Sequence, residues 1–184
     1  QQTELDSLVQ HLRDHHNCEA LGVCCDVADA AAVTQAVALA CERFGGIDVL
    51  INNAGITQRS TFAETELAVF QRIMAVNYFG AVHCTKAALP SLIARRGQII
   101  VLSSLSGFAP LLYRSAYNAS KHALHGLFET LRAELKGSGV NVMLVCPGFT
   151  ATDLRKNALV GDGSMAQQPP LAIGKVASAQ DVAE

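Results

Sequence analysis

Apolar positions recur along this chain in two rhythms, one helical and one continuous. Leu5, Leu8, Val9 and Leu12 fall at helical spacing and predict a helix over 3–15. The run Leu21-Gly22-Val23-Cys24-Cys25 predicts a buried strand, with Asp26-Val27 at its carboxyl end. An Ala-rich amphipathic stretch over 28–44, ended by Gly45-Gly46, predicts a second helix. Ile47-Asp48-Val49-Leu50-Ile51 is a continuous apolar strand of the kind found between helix layers in parallel sheets. One long helical stretch follows over 66–95, with Phe70, Ile73, Met74 and Val76 near its middle. Then come a strand over 98–102, a helix over about 115–136 and a strand over 141–146. Ser178 caps a last helix. Strands alternating with helices predict an α/β fold, a doubly wound parallel sheet in three α/β/α layers.

Composition narrows the class. Half of the 184 residues are hydrophobic and only 16% are charged, which predicts one domain with a large core. A net charge of −2 offers no basic face to nucleic acid or anionic lipid. No apolar run reaches the ~20 residues that span a bilayer, and Gln1-Gln2-Thr3-Glu4 has no signal-peptide character, so a cytoplasmic protein is expected. Of the six cysteines, Cys24, Cys25 and Cys146 lie in strand-like runs and Cys41 and Cys84 in helical ones, and without Cys-x-x-Cys they read as buried reduced thiols. His11 and His15 fall at i, i+4, but no third ligand accompanies them, and no metal is assigned.

The candidate chemistry gathers around residues 103–121. The strand over 98–102 ends in Ser103-Ser104-Leu105-Ser106-Gly107, which puts Ser104 where open α/β sheets bind ligands. Tyr117 and Lys121 are i, i+4 on a helix and project from one face. A cation beside a phenol pulls its pKa below about 10, as a proton-transfer role near neutral pH requires. Asn52-Asn53-Ala54-Gly55 permits close backbone approach after its strand, and Pro147-Gly148-Phe149-Thr150-Ala151-Thr152 breaks the last one. Asn77, inside an apolar helix, needs hydrogen-bond partners. Asp26 reads as a cap for the next helix. Phe108, Leu111, Leu112 and Tyr113 are loop-borne apolar groups that either shape a substrate pocket or pack ordinarily. His83 and Lys86 read as a solvated face, and His122 and His125 as exposed or at an interface.

Asn52-Asn53-Ala54-Gly55, Ser104, Tyr117-x-x-x-Lys121 and Pro147-Gly148, in that order, closely resemble the short-chain dehydrogenase/reductase family, of the classical subtype. The resemblance runs from about residue 20 to residue 153. It implies a Rossmann-like fold, NAD or NADP as cofactor, and interconversion of a carbonyl and a secondary alcohol by hydride transfer. It implies Asn77, Ser104, Tyr117 and Lys121 as the catalytic set, with Tyr117 as acid/base and Asn77 holding a water that passes protons through Lys121. Asp26 and Val27 would meet the adenine, and Asn53, Ala54 and Gly55 the ribose. Lys121 and Tyr117 would grip the nicotinamide ribose. Thr150 and Thr152, after Pro147-Gly148, would hold the carboxamide. The family's habits also imply a homodimer or homotetramer, and a substrate lid over about 153–177.

One family hallmark is missing. No Gly-rich turn for the pyrophosphate occurs in this sequence. In the order 3-2-1-4-5-6, the strands at 21–25 and 47–51 would stand three spacings apart, roughly 14 Å, with two strands required between them. The chain is therefore expected to be a piece of a longer enzyme, preceded by roughly 30 residues or more that carry the Gly-rich turn. Two alternatives stand beside the enzyme reading. One is a catalytically silent domain acting as scaffold or oligomer partner. The other keeps the fold but runs epimerisation or dehydration.

Overall fold

The structure is a computed structural model, and it describes residues 2–167 and 176–183. Helix α1 (Gln2–His16) leads, followed by α2 (Ala30–Phe44), β1 (Val49–Asn52), α3 (Leu67–Met74) and α4 (Gly80–Arg95). Next come β2 (Gln98–Leu102), α5 (Ser115–Glu134) and β3 (Asn141–Val145). Short β4 (Thr150–Ala151), α6 (Asp153–Lys156), β5 (Ala177–Ser178) and α7 (Ala179–Ala183) close the order. The strands β1-β2-β3 form a parallel sheet, with Leu50 beside Ile99 and Ile99 beside Val142. β4 and β5 form a separate parallel pair.

Local chemistry explains the helix ends. Asp29, not Asp26, caps α2: its carboxylate accepts from the N–H groups of Ala31 and Ala32 at 2.8 and 3.2 Å. Asp26 instead accepts from the Ala28 N–H at 2.9 Å and closes the turn before it. Gly45 ends α2 at φ 77°, a conformation that glycine adopts without penalty. The Ser178 cap of α7 forms as expected, with Asp181 N–H donating to Ser178 Oγ at 3.0 Å.

The core lies on one face of the sheet. Ile99, Val101 and Val142 pack there against Ala88 and Leu92 of α4 and Leu124 and Phe128 of α5. Period-two alternation sends Val49, Ile51 and Met143 to the opposite face, where they are 49, 57 and 42% exposed. The expectation of a strand at 47–51 buried on both faces is thus corrected: the ladder runs over Val49–Asn52 and only one face is covered.

Residues 21–25 form no strand. A strand exists only as a hydrogen-bonded ladder, and β1 pairs with β2 alone, so among the described residues this segment has no neighbour. It packs instead near α1, with Leu21 41% exposed. The cysteine reading changes with it. None of the six cysteines forms a disulfide, but Cys18 and Cys24 are exposed and the other four only half-buried.

The helix expected over 66–95 is interrupted by a π-turn, Ala75–Phe79, closed by the Gly80 N–H donating to the Ala75 carbonyl. Such one-residue insertions re-phase a helix and are frequent at functional sites. Among the described residues no helix is long and apolar enough to cross a membrane.

Candidate active site

The π-turn aims Asn77 inward, at 2% exposure. Its Oδ1 accepts from Ile56 N–H at 2.8 Å, and its Nδ2 donates to Ile56 O and Ser120 Oγ at 2.9 Å each. Every side-chain donor and acceptor of the amide is engaged except one lone pair. Asn77 thereby ties the loop after β1 to α5. Ser120 continues the chain by donating to the Tyr117 carbonyl at 2.8 Å. Asn52, at the end of β1, donates to Thr85 Oγ1 at 3.1 Å and fastens the same loop to α4.

Tyr117 and Lys121 sit on the first turns of α5, 7 and 5% exposed. Lys121 Nζ donates to the Leu102 carbonyl at 2.6 Å, which pins α5 to the end of β2. The ammonium lies 5.7 Å from the Tyr117 ring centroid. Burial pulls Lys121 down to about 8. Burial pushes the Tyr117 phenol above its ordinary value, against a hydrogen bond from Ser104 and the Arg114 charge, which lower it. The expectation that Lys121 depresses the phenol is corrected for this state. The loss of hydration outweighs these opposing effects, and the ammonium is directed to a carbonyl. Tyr117 is therefore a protonated acid at neutral pH.

Ser104 ends β2 half-buried. Its Oγ accepts from Ser106 N–H at 3.1 Å, and its own proton is directed to the Tyr117 phenol. Ser103 N–H donates to Val145 O at 2.8 Å and Leu105 N–H to Pro147 O at 3.2 Å, so the carboxyl ends of β2 and β3 are held together. Asn77, Ser104, Tyr117 and Lys121 thus converge at one edge of the sheet.

A crevice beside them is lined by Val27, Asn53, Ala54, Asn77, Gly80 and Lys121, among others. Asp26, next to Val27 in the chain, is exposed. Gly55 lets the backbone pass close to Asn77, where a Cβ would lie 3.5 Å from Oδ1. Gly148 and Thr152 are exposed and Pro147 and Thr150 half-buried, with Thr150 in the β4–β5 pair. Phe108, Leu112 and Tyr113 are 63, 84 and 55% exposed on the loop between Ser104 and α5. Of the stretch 153–177 expected to cover a substrate, residues 168–175 lie outside the described residues. Ala158 and Leu159 in it are 1 and 4% exposed, and Leu159 is bonded through its backbone to Thr57 and Arg59.

Three residues escaped the sequence reading. His83 is no solvated group: its Nδ1 lies 3.0 Å from the Val27 carbonyl. His125 is buried, its Nε2 2.9 Å from Ser103 Oγ and 3.8 Å from Cys146 Sγ, with Phe108 edge-on at 4.3 Å. The spacing 117, 121, 125 carried that signal, since all three fall on one helix face. Gln58 is fully buried against the start of α5, and nothing local in the sequence announces it.

A parallel sheet packed by helices, with a hydroxyl, a phenol and an ammonium at its carboxyl edge, is a Rossmann-like architecture. The chain matches the model of the short chain dehydrogenase family over residues 1–161, and it belongs to that family. It is 46% identical over 140 residues to dehydrogenase/reductase SDR family member 7B of Rattus norvegicus, covering 76% of this chain and 43% of that protein. It is 42% identical over 159 residues to dehydrogenase/reductase SDR family protein 7-like of Anopheles gambiae, covering 86% of this chain and 50% of that protein. The chain thus spans about half the length of the curated relatives it matches. Among solved structures, an alcohol dehydrogenase from Thermococcus sibiricus, complexed with 5-hydroxy-NADP, superposes with a TM-score of 0.79 at 25% identity, covering 90% of this chain and 67% of that one. A gluconate 5-dehydrogenase from Burkholderia cenocepacia, in complex with NADP and tartrate, gives 0.80 at 29% identity, covering 85 and 61%.

Proposed function

We propose that this chain carries the catalytic centre of a nicotinamide-dinucleotide-dependent oxidoreductase that interconverts a carbonyl and a secondary alcohol. The observation that carries this reading is the convergence of Ser104, Tyr117, Lys121 and Asn77 at one sheet edge beside a crevice. The residues that line the crevice suit the ribose portion of a dinucleotide. Asn53, Ala54 and Lys121 offer polar contacts for a ribose, and Val27 and Gly80 leave a flat apolar wall. The sequence contains no Gly-rich turn for the pyrophosphate.

Lys121 and Tyr117 would hold the nicotinamide ribose, Asn53, Ala54 and Gly55 the neighbouring sugar, and Asp26 and Val27 the adenine. Pro147, Gly148, Thr150 and Thr152 would face the carboxamide. When bound, the dinucleotide supplies or accepts the hydride at the carbonyl carbon. In the reduction direction Tyr117 gives its phenolic proton to the substrate oxygen. Ser104, already accepting from Ser106, donates to the same oxygen as negative charge builds there. Lys121 and the Asn77 network hold the phenol's helix and provide the route by which the proton is replaced.

The test is Tyr117→Phe in the full-length protein, with NADH and NADPH against aromatic and cyclic ketones, acetophenone and cyclohexanone among them. Removing the acid alone should lower kcat by at least ~100-fold while the fold is kept. Reduction near the wild-type rate would overturn the assignment. The alternative reading is a catalytically silent scaffold domain. Dinucleotide titration separates the two, because a scaffold leaves both dinucleotides unbound.

A further inference from the structure

The first N–H groups of a helix have no acceptor within it. In α5 the third of these belongs to Tyr117, which is 7% exposed and shut off from bulk water. The residue before the helix, Arg114, makes no side-chain cap. The acceptor comes from 59 positions away: Gln58 Oε1 takes the Tyr117 N–H at 3.0 Å, and Gln58 Nε2 donates to Ser115 Oγ at 3.1 Å. A backbone N–H can only donate, so the amide has a single productive orientation. Gln58 is itself 0% exposed.

The loop that carries Gln58 is fixed on both sides. Arg114 Nη1 donates to Thr57 Oγ1 at 2.6 Å and to the Gln58 carbonyl at 3.2 Å, and Ser60 N–H donates to the Tyr113 carbonyl at 3.1 Å. Leu159 accepts from Arg59 N–H at 2.7 Å and donates to Thr57 O at 2.8 Å. The first turn of α5 is thus seated on the loop after β1, the same loop that Asn77 grips at Ile56.

We propose that Gln58 is a positioning residue for the reaction, a cap supplied from a distant loop that fixes the height and rotation of the first turn of α5 and so holds the Tyr117 phenol against Ser104. This rests on Tyr117 as the proton donor. Any buried amide must be hydrogen-bonded, but this one spends both ends on a single helical turn and so ties that turn to its loop.

The experiment uses the full-length protein with two substitutions. Gln58→Asn keeps the amide but falls one methylene short of the Tyr117 N–H. Gln58→Glu keeps the reach and the accepting oxygen. With acetophenone as probe, Gln58→Asn should lower kcat by roughly 10- to 100-fold with little change in KM, the scale of a misplaced reacting group. Gln58→Glu should recover most of that loss. Independently of turnover, the ring-carbon NMR titration of Tyr117, assigned with Tyr117→Phe, should move down towards the ordinary phenol value in Gln58→Asn as the ring gains water. The resonances of Tyr78 and Tyr113 should stay in place. An unchanged Tyr117 titration, or equal impairment of both variants, would overturn the proposal. If Tyr117→Phe stays active while Gln58→Asn moves the titration, the catalytic reading fails and the positioning claim survives without it.

Discussion

At the scale of single residues, burial sets the chemistry more than proximity does. Lys121 has an ordinary value of 10.5 and is pulled to about 8, because its ammonium leaves water for one carbonyl. The sign follows from linkage: between pH 8 and 10.5 the folded chain has released this proton and the unfolded chain has not. Folding is therefore disfavoured by this group below pH 8, and its penalty fades over that window, while the charge available to a dinucleotide ribose is lost. Dinucleotide affinity in the full-length protein should weaken as pH rises through 8, measured by fluorescence titration. Lys121→Met should bind weakly at every pH and show no such inflection. Burial pushes the Tyr117 phenol the other way, above its ordinary value, so Lys121 releases its proton first and the alkaline limb of carbonyl reduction should begin with Lys121. Ser104→Ala removes one donor to the developing oxyanion and should lower kcat by roughly 100- to 1,000-fold, with KM changed far less. The identities of Ser104, Tyr117 and Lys121 were legible because side-chain chemistry at fixed spacing is written in the chain. The direction of the phenol's shift was not, because hydration loss depends on what packs around it.

At the scale of elements, the π-turn at Ala75–Phe79 is the device that serves the site. A regular helix would carry Asn77 on the same stripe as its apolar neighbours. The extra residue turns the amide onto Ile56 and Ser120. Asn77→Leu leaves the Ile56 N–H and carbonyl without partners, and each such buried group costs about 1–3 kcal/mol. Urea unfolding should show a lower midpoint by that order, with the slope unchanged. Asp29 offers a milder comparison. Its carboxylate caps α2 on the surface, and Asp29→Ala should lower stability by about 1 kcal/mol, with no effect on activity. The helix over 66–95 was visible from its apolar spacing, but the π-turn was not. It is centred on Asn77, whose partners lie 21 and 43 positions away in the chain.

At the scale of the molecule, the sheet is covered on one face and, among the described residues, open on the other. Ile99 and Val101 are fully buried against α4 and α5, while Val49, Ile51 and Met143 remain 42 to 57% exposed on the opposite face. A sheet face of this character binds apolar matter. The 184-residue chain, prepared as it stands, should bind a hydrophobic reporter dye, and Ile51→Thr should weaken that signal without lowering helicity by circular dichroism. The same openness explains residues 21–25: a β-branched and cysteine-rich run has strand propensity, yet a ladder needs a neighbour and none stands beside it among the described residues. The sequence alone determined the parallel α/β order, the helices and the candidate residues for chemistry, because hydrophobic period and side-chain type are local properties. Tertiary structure alone decided which run pairs as a strand, and it decided that Gln58 caps the helix of Tyr117 and that His125 lies buried behind Ser103. Those outcomes depend on groups tens of residues apart being brought within about 3 Å of one another, and only the folded chain brings them there.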